Sequence, residues 1–167
     1  MSAPRLAAAA VLAIALVSCG GGGGGNDKAT KVTTNNPAPG QTGAAPVTLK
    51  AALSGAEEVP GPGVKDGVGT FVIDISGSKG CYNLTATMGE KPTKAHIHQG
   101  AKGVGGPVLV DLMPAFTPGE SAFRANSCVD LPGGAAAKLS ADPAGFYVNV
   151  HSDGHPDGAM RGQLARF

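Results

Sequence analysis

All four histidines of the chain fall in two short segments, Ala95-His96-Ile97-His98-Gln99-Gly100 and Tyr147-Val148-Asn149-Val150-His151-Ser152-Asp153-Gly154-His155. In an extended strand, residues two apart share a face. His96 and His98 therefore point together and Ile97 points away. In the second segment Tyr147, Asn149 and His151 share one face, and Val148 and Val150 share the other. If Ile97, Val148 and Val150 enter a core, the histidines stand on polar faces, and on neighbouring strands three imidazoles would converge. An H-x-H pair on a strand chelates copper or zinc, because neutral imidazole suits both ions. His151, with His155 or Asp153 nearby, would complete such a site. The structural alternative is that these rings bond to backbone or carboxylate and rigidify a sheet.

Other chemistry is sparse. No Ser or Cys stands in a nucleophile-elbow context, and no Asp is visibly paired with a His and a Ser. Glu57 and Glu58 are adjacent, so on a strand they face opposite ways and are poorly placed to share a proton. The run Gly100-Ala101-Lys102-Gly103-Val104-Gly105-Gly106-Pro107 lacks phosphate-loop spacing and leads into Val108-Leu109-Val110, a strand rather than a helix. It reads as a wide turn. Arg161, between Met160 and Gly162, is expected to pair with Glu58 in a structural role, with a ligand-facing role as the alternative.

These residues need elements to hold them. From Val47 onward, short alternating runs are broken by turn residues: 47–53, 68–75, 81–88, 94–98, 107–112, 121–129, 145–151 and 159–166. Gly77 to Gly80 reads as a turn, and 134–141 is the one helix-prone stretch, stopped at Pro143. About eight short strands at a spacing of roughly ten residues predict an all-β domain, an immunoglobulin-like or Greek-key sandwich or barrel with one short helix. The 167 residues allow one ordinary domain. Thirteen basic against twelve acidic residues give a net charge of +1, which provides no electrostatic footprint for nucleic acid.

The amino-terminal part reads differently. Behind Arg5 runs an apolar stretch, Leu6 to Val17, too short for the ~20 residues that span a bilayer as a helix. It fits residues 1–18 as an export signal. Ser18-Cys19 followed by Gly20 resembles the bacterial lipobox, in which the cysteine thiol is lipidated and becomes the new amino terminus. In a Gram-negative cell Gly20 fits the outer membrane as destination. Residues 20–46, with six consecutive glycines and Pro37 and Pro39, bury too little to order themselves and form a tether of ~30 Å root-mean-square reach. The expected partner is thus the membrane, through a lipid anchor at Cys19. Two other cysteines, Cys81 and Cys128, would pair in an oxidising compartment; two buried free thiols are the alternative.

Four blocks, in order, then carry a resemblance. Leu53-Ser54-Gly55-Ala56-Glu57-Glu58-Val59-Pro60, the His96–His98 segment with Gly100, Gly103, Gly106 and Pro107, the Tyr147–His151 segment, and Gly158-Ala159-Met160-Arg161-Gly162-Gln163-Leu164 resemble the CHRD domain. That family is named for chordin, an extracellular antagonist of bone morphogenetic proteins, and also occurs in exported microbial proteins. Cys81 and Cys128 resemble the cysteine pair of its bacterial members. The resemblance covers 47–167 and implies an immunoglobulin-like barrel related to copper–zinc superoxide dismutase. Four histidines are too few for that enzyme's two-metal site. The expectation is a lipid-anchored envelope protein displaying the domain as a binding or interaction module without enzymatic activity. The alternative is a mononuclear copper or zinc protein using His96, His98 and His151, with His155 beside them.

Overall fold

The computed structural model describes residues 45–167, apart from 113 and 119–121. The expected export signal, Cys19 and all but the last two residues of the expected tether lie outside the described residues.

Alternating apolar residues build one antiparallel sheet of ten strands: β1 (Val47–Ser54), β2 (Val68–Ser76), β3 (Lys79–Thr87), β4 (Pro92–Gln99), β5 (Val108–Asp111), β6 (Thr117–Pro118), β7 (Phe123–Asp130), β8 (Phe146–Ser152), β9 (Met160–Gln163) and β10 (Ala165–Arg166). The spatial order is β5-β4-β8-β9-β1-β2-β3-β7-β6, with β10 added beside β1. The sheet curls into a half-barrel around a single core. Leu49, Ala51 and Leu53 of β1 meet Phe71 and Ile73 of β2, Tyr82 and Leu84 of β3, Ile97 of β4, and Val148 and Val150 of β8. Each fully buried aliphatic or aromatic side chain there is worth about 1.5–3 kcal/mol relative to exposure. Tyr82 adds a buried hydrogen bond from its hydroxyl to the Leu112 carbonyl, at 2.8 Å.

One helix, α1 (Ala135–Ala141), sits where the helix-prone run predicts it and buries Ala135 and Leu139, one turn apart. The expected turn at 77–80 is tighter than its glycines suggest: Lys79 and Gly80 already pair in β3, leaving Gly77 and Ser78 to reverse the chain. The expected strand 159–166 divides in two. β9 lies between β8 and β1, whereas β10 pairs with β1 alone, and between them Leu164 turns into the core and donates its N–H to the Phe146 carbonyl. β6 is two residues long and carries no periodicity to read.

Cys81 and Cys128 are directly opposed in the β3–β7 register and form a disulfide on the exposed face of those strands. The expected pairing is present.

A candidate metal centre on the covered face of the sheet

β4 and β8 are neighbours, and their register sets the site. His98 opposes Tyr147, His96 opposes Asn149, and Lys94 opposes His151. Ile97, Val148 and Val150 are fully buried in the core. The period of two then sends all three histidines to the other face, as their spacing predicts. That face is largely covered, with His96 only half-buried. The 55–67 and 100–107 segments fold over it, so every residue of β8 is buried, polar ones included.

The three imidazoles converge. One ring nitrogen from each of His96, His98 and His151 lies within 4.8 Å of the others, and the group contains imidazoles alone. The Nδ1 atom of His98 lies 3.0 Å from the Gly106 carbonyl, and that of His151 lies 2.9 Å from the Pro156 carbonyl. A carbonyl only accepts, so both Nδ1 atoms carry the proton, and both Nε2 atoms keep a lone pair. Nε2 of His98 is buried with no protein partner. Nε2 of His151 faces Nδ1 of His96 at 3.1 Å. A zinc or copper ion about 2.0–2.1 Å from each nitrogen fits this donor set after a small contraction. Burial pushes all three imidazoles below their ordinary value of 6.5; at His96 the His151 ring adds to this, at His98 the Arg161 charge does, and Gly106 and Pro156 oppose it at His98 and His151. They are held neutral, which is the form that ligates metal.

The other expected site residues are placed differently. His155 does not join the triad: its Nδ1 lies 2.6 Å from Glu90 Oε1, in the loop that follows β8. Asp153 is exposed in the same loop. Glu57 turns outward to Lys102, at 3.0 Å, while Glu58 turns inward and is 8% exposed. Glu58 Oε1 accepts from the Val59 N–H at 3.1 Å and from Asn149 Nδ2 at 3.2 Å. Burial raises its carboxyl above the ordinary 4.5, against the pull of the Val59 N–H, Arg161 and Asn149.

The expected Glu58–Arg161 ion pair is not formed. Arg161 is 2% exposed, and its Nη2 donates instead to the Ala101 and Val104 carbonyls, at 2.9 and 2.8 Å. Its guanidinium carbon lies 3.4 Å from the Tyr147 ring centroid. The 100–107 loop reaches Nη2 with two carbonyls and Tyr147 offers the guanidinium an aromatic face, while Nη1 is buried without a protein partner.

That loop is the functional element the sequence conceals. It reads as a wide turn, but it presents the Gly106 carbonyl to His98 and the Gly106 N–H to the Tyr147 hydroxyl, at 3.1 Å. The one signal was its glycine content. A Cβ at position 106 would stand 1.7 Å from the Gln99 carbonyl oxygen, so only glycine allows the loop to close on β4.

These blocks, in this order, coincide with a known family. The CHRD domain model matches residues 49–164. The chain belongs to the CHRD domain family. No curated protein matches the chain. The CHRD match covers all four histidines, Glu58, Arg161 and both paired cysteines, and it supports a β-domain interaction module as the coarse description of the chain. Every residue of the candidate centre thus lies inside the CHRD domain.

Proposed function

We propose that this CHRD protein is an envelope lipoprotein, anchored through Cys19, whose domain binds one copper or zinc ion through His96, His98 and His151. The observation that carries the metal reading is the convergence of three imidazole nitrogens within 4.8 Å, two of the rings with their Nδ1 atoms already committed to backbone carbonyls. Three imidazoles leave further coordination positions for a small exogenous ligand, and among the described residues the group that could ligate holds no thiolate or carboxylate. With this donor set copper(II) should bind more tightly than zinc(II). The lipobox-like Leu16-Val17-Ser18-Cys19 and the glycine-rich tether support the anchored, exported setting. Such a protein would serve metal storage, delivery or redox defence at the cell surface.

The test is thermal unfolding of the protein with and without zinc(II) or copper(II), beside a His96→Ala/His98→Ala variant. A ligand that binds only the native state adds RT ln(1 + [L]/Kd), about 2.7 kcal/mol at a hundredfold excess over Kd. A rise in midpoint that the double variant abolishes is the expected result. No rise with either ion in the wild type would defeat the metal reading and return the domain to a partner-binding role. In that second reading, Val104 and Val108, each about half exposed beside the site, are the apolar residues a protein partner would meet.

A further inference from the structure

Arg161 bonds to none of the three histidines, yet it contacts both the loop and the aromatic ring that flank His98. Its Nη2 fixes the 100–107 loop through the carbonyls of Ala101 and Val104. Its guanidinium lies against one face of Tyr147. The Tyr147 ring lies parallel to the His98 ring, 4.9 Å between centroids and 10° between planes. The Tyr147 hydroxyl accepts from the Gly106 N–H, and the Gly106 carbonyl accepts from His98 Nδ1. Among the described residues the His98 ring has no other hydrogen bond, because its Nε2 is buried without a protein partner. The tautomer of His98 is therefore decided by one carbonyl on one loop. Were that loop to drift, the ring could carry its proton on Nε2 and turn an N–H toward the ion position.

We propose that Arg161 is a positioning residue for the metal centre: by clamping the 100–107 loop and the Tyr147 ring, it keeps His98 in the Nδ1–H tautomer, with the Nε2 lone pair aimed at His96 and His151. The consequence for affinity rests on the metal reading above; the tautomer itself does not. Partners that orient a metal-bound histidine are worth roughly 10–100-fold in metal affinity.

The experiment is two-bond 1H–15N correlation of the His98 ring in metal-free, 15N-labelled protein, wild type and Arg161→Lys, followed by zinc(II) titration and copper(II) electron paramagnetic resonance on both. Lysine keeps the charge but cannot lie flat on Tyr147 while donating to two carbonyls. The wild type should show a single Nδ1–H tautomer. Arg161→Lys should show both tautomers, about 10–100-fold weaker zinc binding, and altered copper hyperfine values. A wild-type ring protonated on Nε2, or a folded Arg161→Lys with an unchanged His98 tautomer, overturns the proposal; a residue that only braced the fold would lower the melting point and leave the tautomer alone. Failure of the wild type to bind zinc or copper defeats the metal reading, and the ring spectra still decide the positioning role. If Arg161→Lys does not fold, Tyr147→Phe replaces it. That variant keeps the ring stack and removes the hydroxyl that accepts from Gly106, so tautomer mixing supports the proposal and an unchanged tautomer overturns it.

Discussion

Nδ1 of His96 stands 3.1 Å from Nε2 of His151, so in the metal-free protein two of the three proposed ligands are bonded to each other. His151 already donates from Nδ1 to the Pro156 carbonyl, so its Nε2 is the acceptor and His96 is the donor. His96 must move this proton to its other nitrogen before its Nδ1 can bind an ion. That is a change of tautomer and releases no net proton. All three rings are also held below the ordinary value of 6.5 by burial. Metal binding at about pH 7 should therefore release fewer protons than three ordinary histidines would, with release growing as pH falls. Calorimetric titration with zinc(II) in buffers of different ionisation enthalpy measures this directly. Release near one proton per ion at about pH 7 would show that a ring is charged in the free site.

The same depression makes the metal-free protein acid-sensitive. A histidine whose folded value lies below its unfolded one contributes stability that is present above the unfolded value and lost as pH falls through the folded one. The charged groups that act on these rings do not reverse the sign. Lys94 and Arg161 push in the same direction as burial, while Asp111 at His96 and Asp157 at His151 oppose it and are outweighed. Denaturant unfolding of the metal-free protein should thus weaken from about pH 6.5 downward. The His96→Ala/His98→Ala variant should show a shallower fall over the same window. Equal slopes in the two proteins would mean that the rings titrate normally.

His155 provides a contrast within one short segment. It lies four residues from His151, but its ring is engaged by Glu90 of the β3–β4 connection. Its pair with Glu90 is about one-third exposed, so its worth is at most about 1 kcal/mol. His155→Ala should leave zinc affinity within about twofold, while His98→Ala should weaken it beyond the roughly 10–100-fold typical of lost supporting partners. Comparable losses from both would place His155 in the centre, contrary to the geometry.

Which parts of this arrangement were legible in the sequence follows from the range of the interactions that create them. Period-two alternation marks Ile97, Val148 and Val150 as inward, and it therefore puts His96, His98 and His151 on the opposite faces without any knowledge of the fold. That β4 and β8 are partners is a long-range pairing that alternation does not encode; the convergence was conditional on it. Arg161 was misread because a guanidinium favours bidentate pairing with a carboxylate, for which Glu58 was the expected partner, whereas its actual partners are uncharged carbonyls of a glycine-rich loop and an aromatic face. Nothing in the local sequence distinguishes an open turn from a loop folded over a sheet. The division of β9 from β10 depended likewise on Leu164 reaching the core.

The disulfide should matter to stability and leave the metal centre unaffected. Cys81 and Cys128 are 47 residues apart in sequence, on the β3–β7 side of the sheet, and the histidines stand on β4 and β8. Closing such a loop is worth about 4 kcal/mol in the chain-entropy model, and removing a native bridge commonly costs 2–5. The Cys81→Ser/Cys128→Ser variant should lose about 2–4 kcal/mol by denaturant titration and keep wild-type zinc affinity under native conditions. A variant that stays folded but loses zinc would couple the two halves of the sheet in a way the geometry does not suggest.

Glu58 gives the sharpest test of the buried polar cluster. Its carboxyl is raised chiefly by burial, so the folded chain holds this proton more readily than the unfolded chain does. Stability from such a group is present below the ordinary value of 4.5 and lost as pH rises through the folded value. Glutamine keeps an oxygen able to accept from the Val59 N–H and Asn149 Nδ2, and it has no charge to bury. Its loss is the attraction of Arg161, which at this site is smaller than the burial penalty. Glu58→Gln should therefore match the wild type in acid and become progressively more stable than it toward about pH 7, with metal affinity retained. If the glutamine variant is instead less stable by more than about 1 kcal/mol at that pH, Glu58 is ionised in the folded protein and Arg161 is its working counter-charge despite bonding elsewhere.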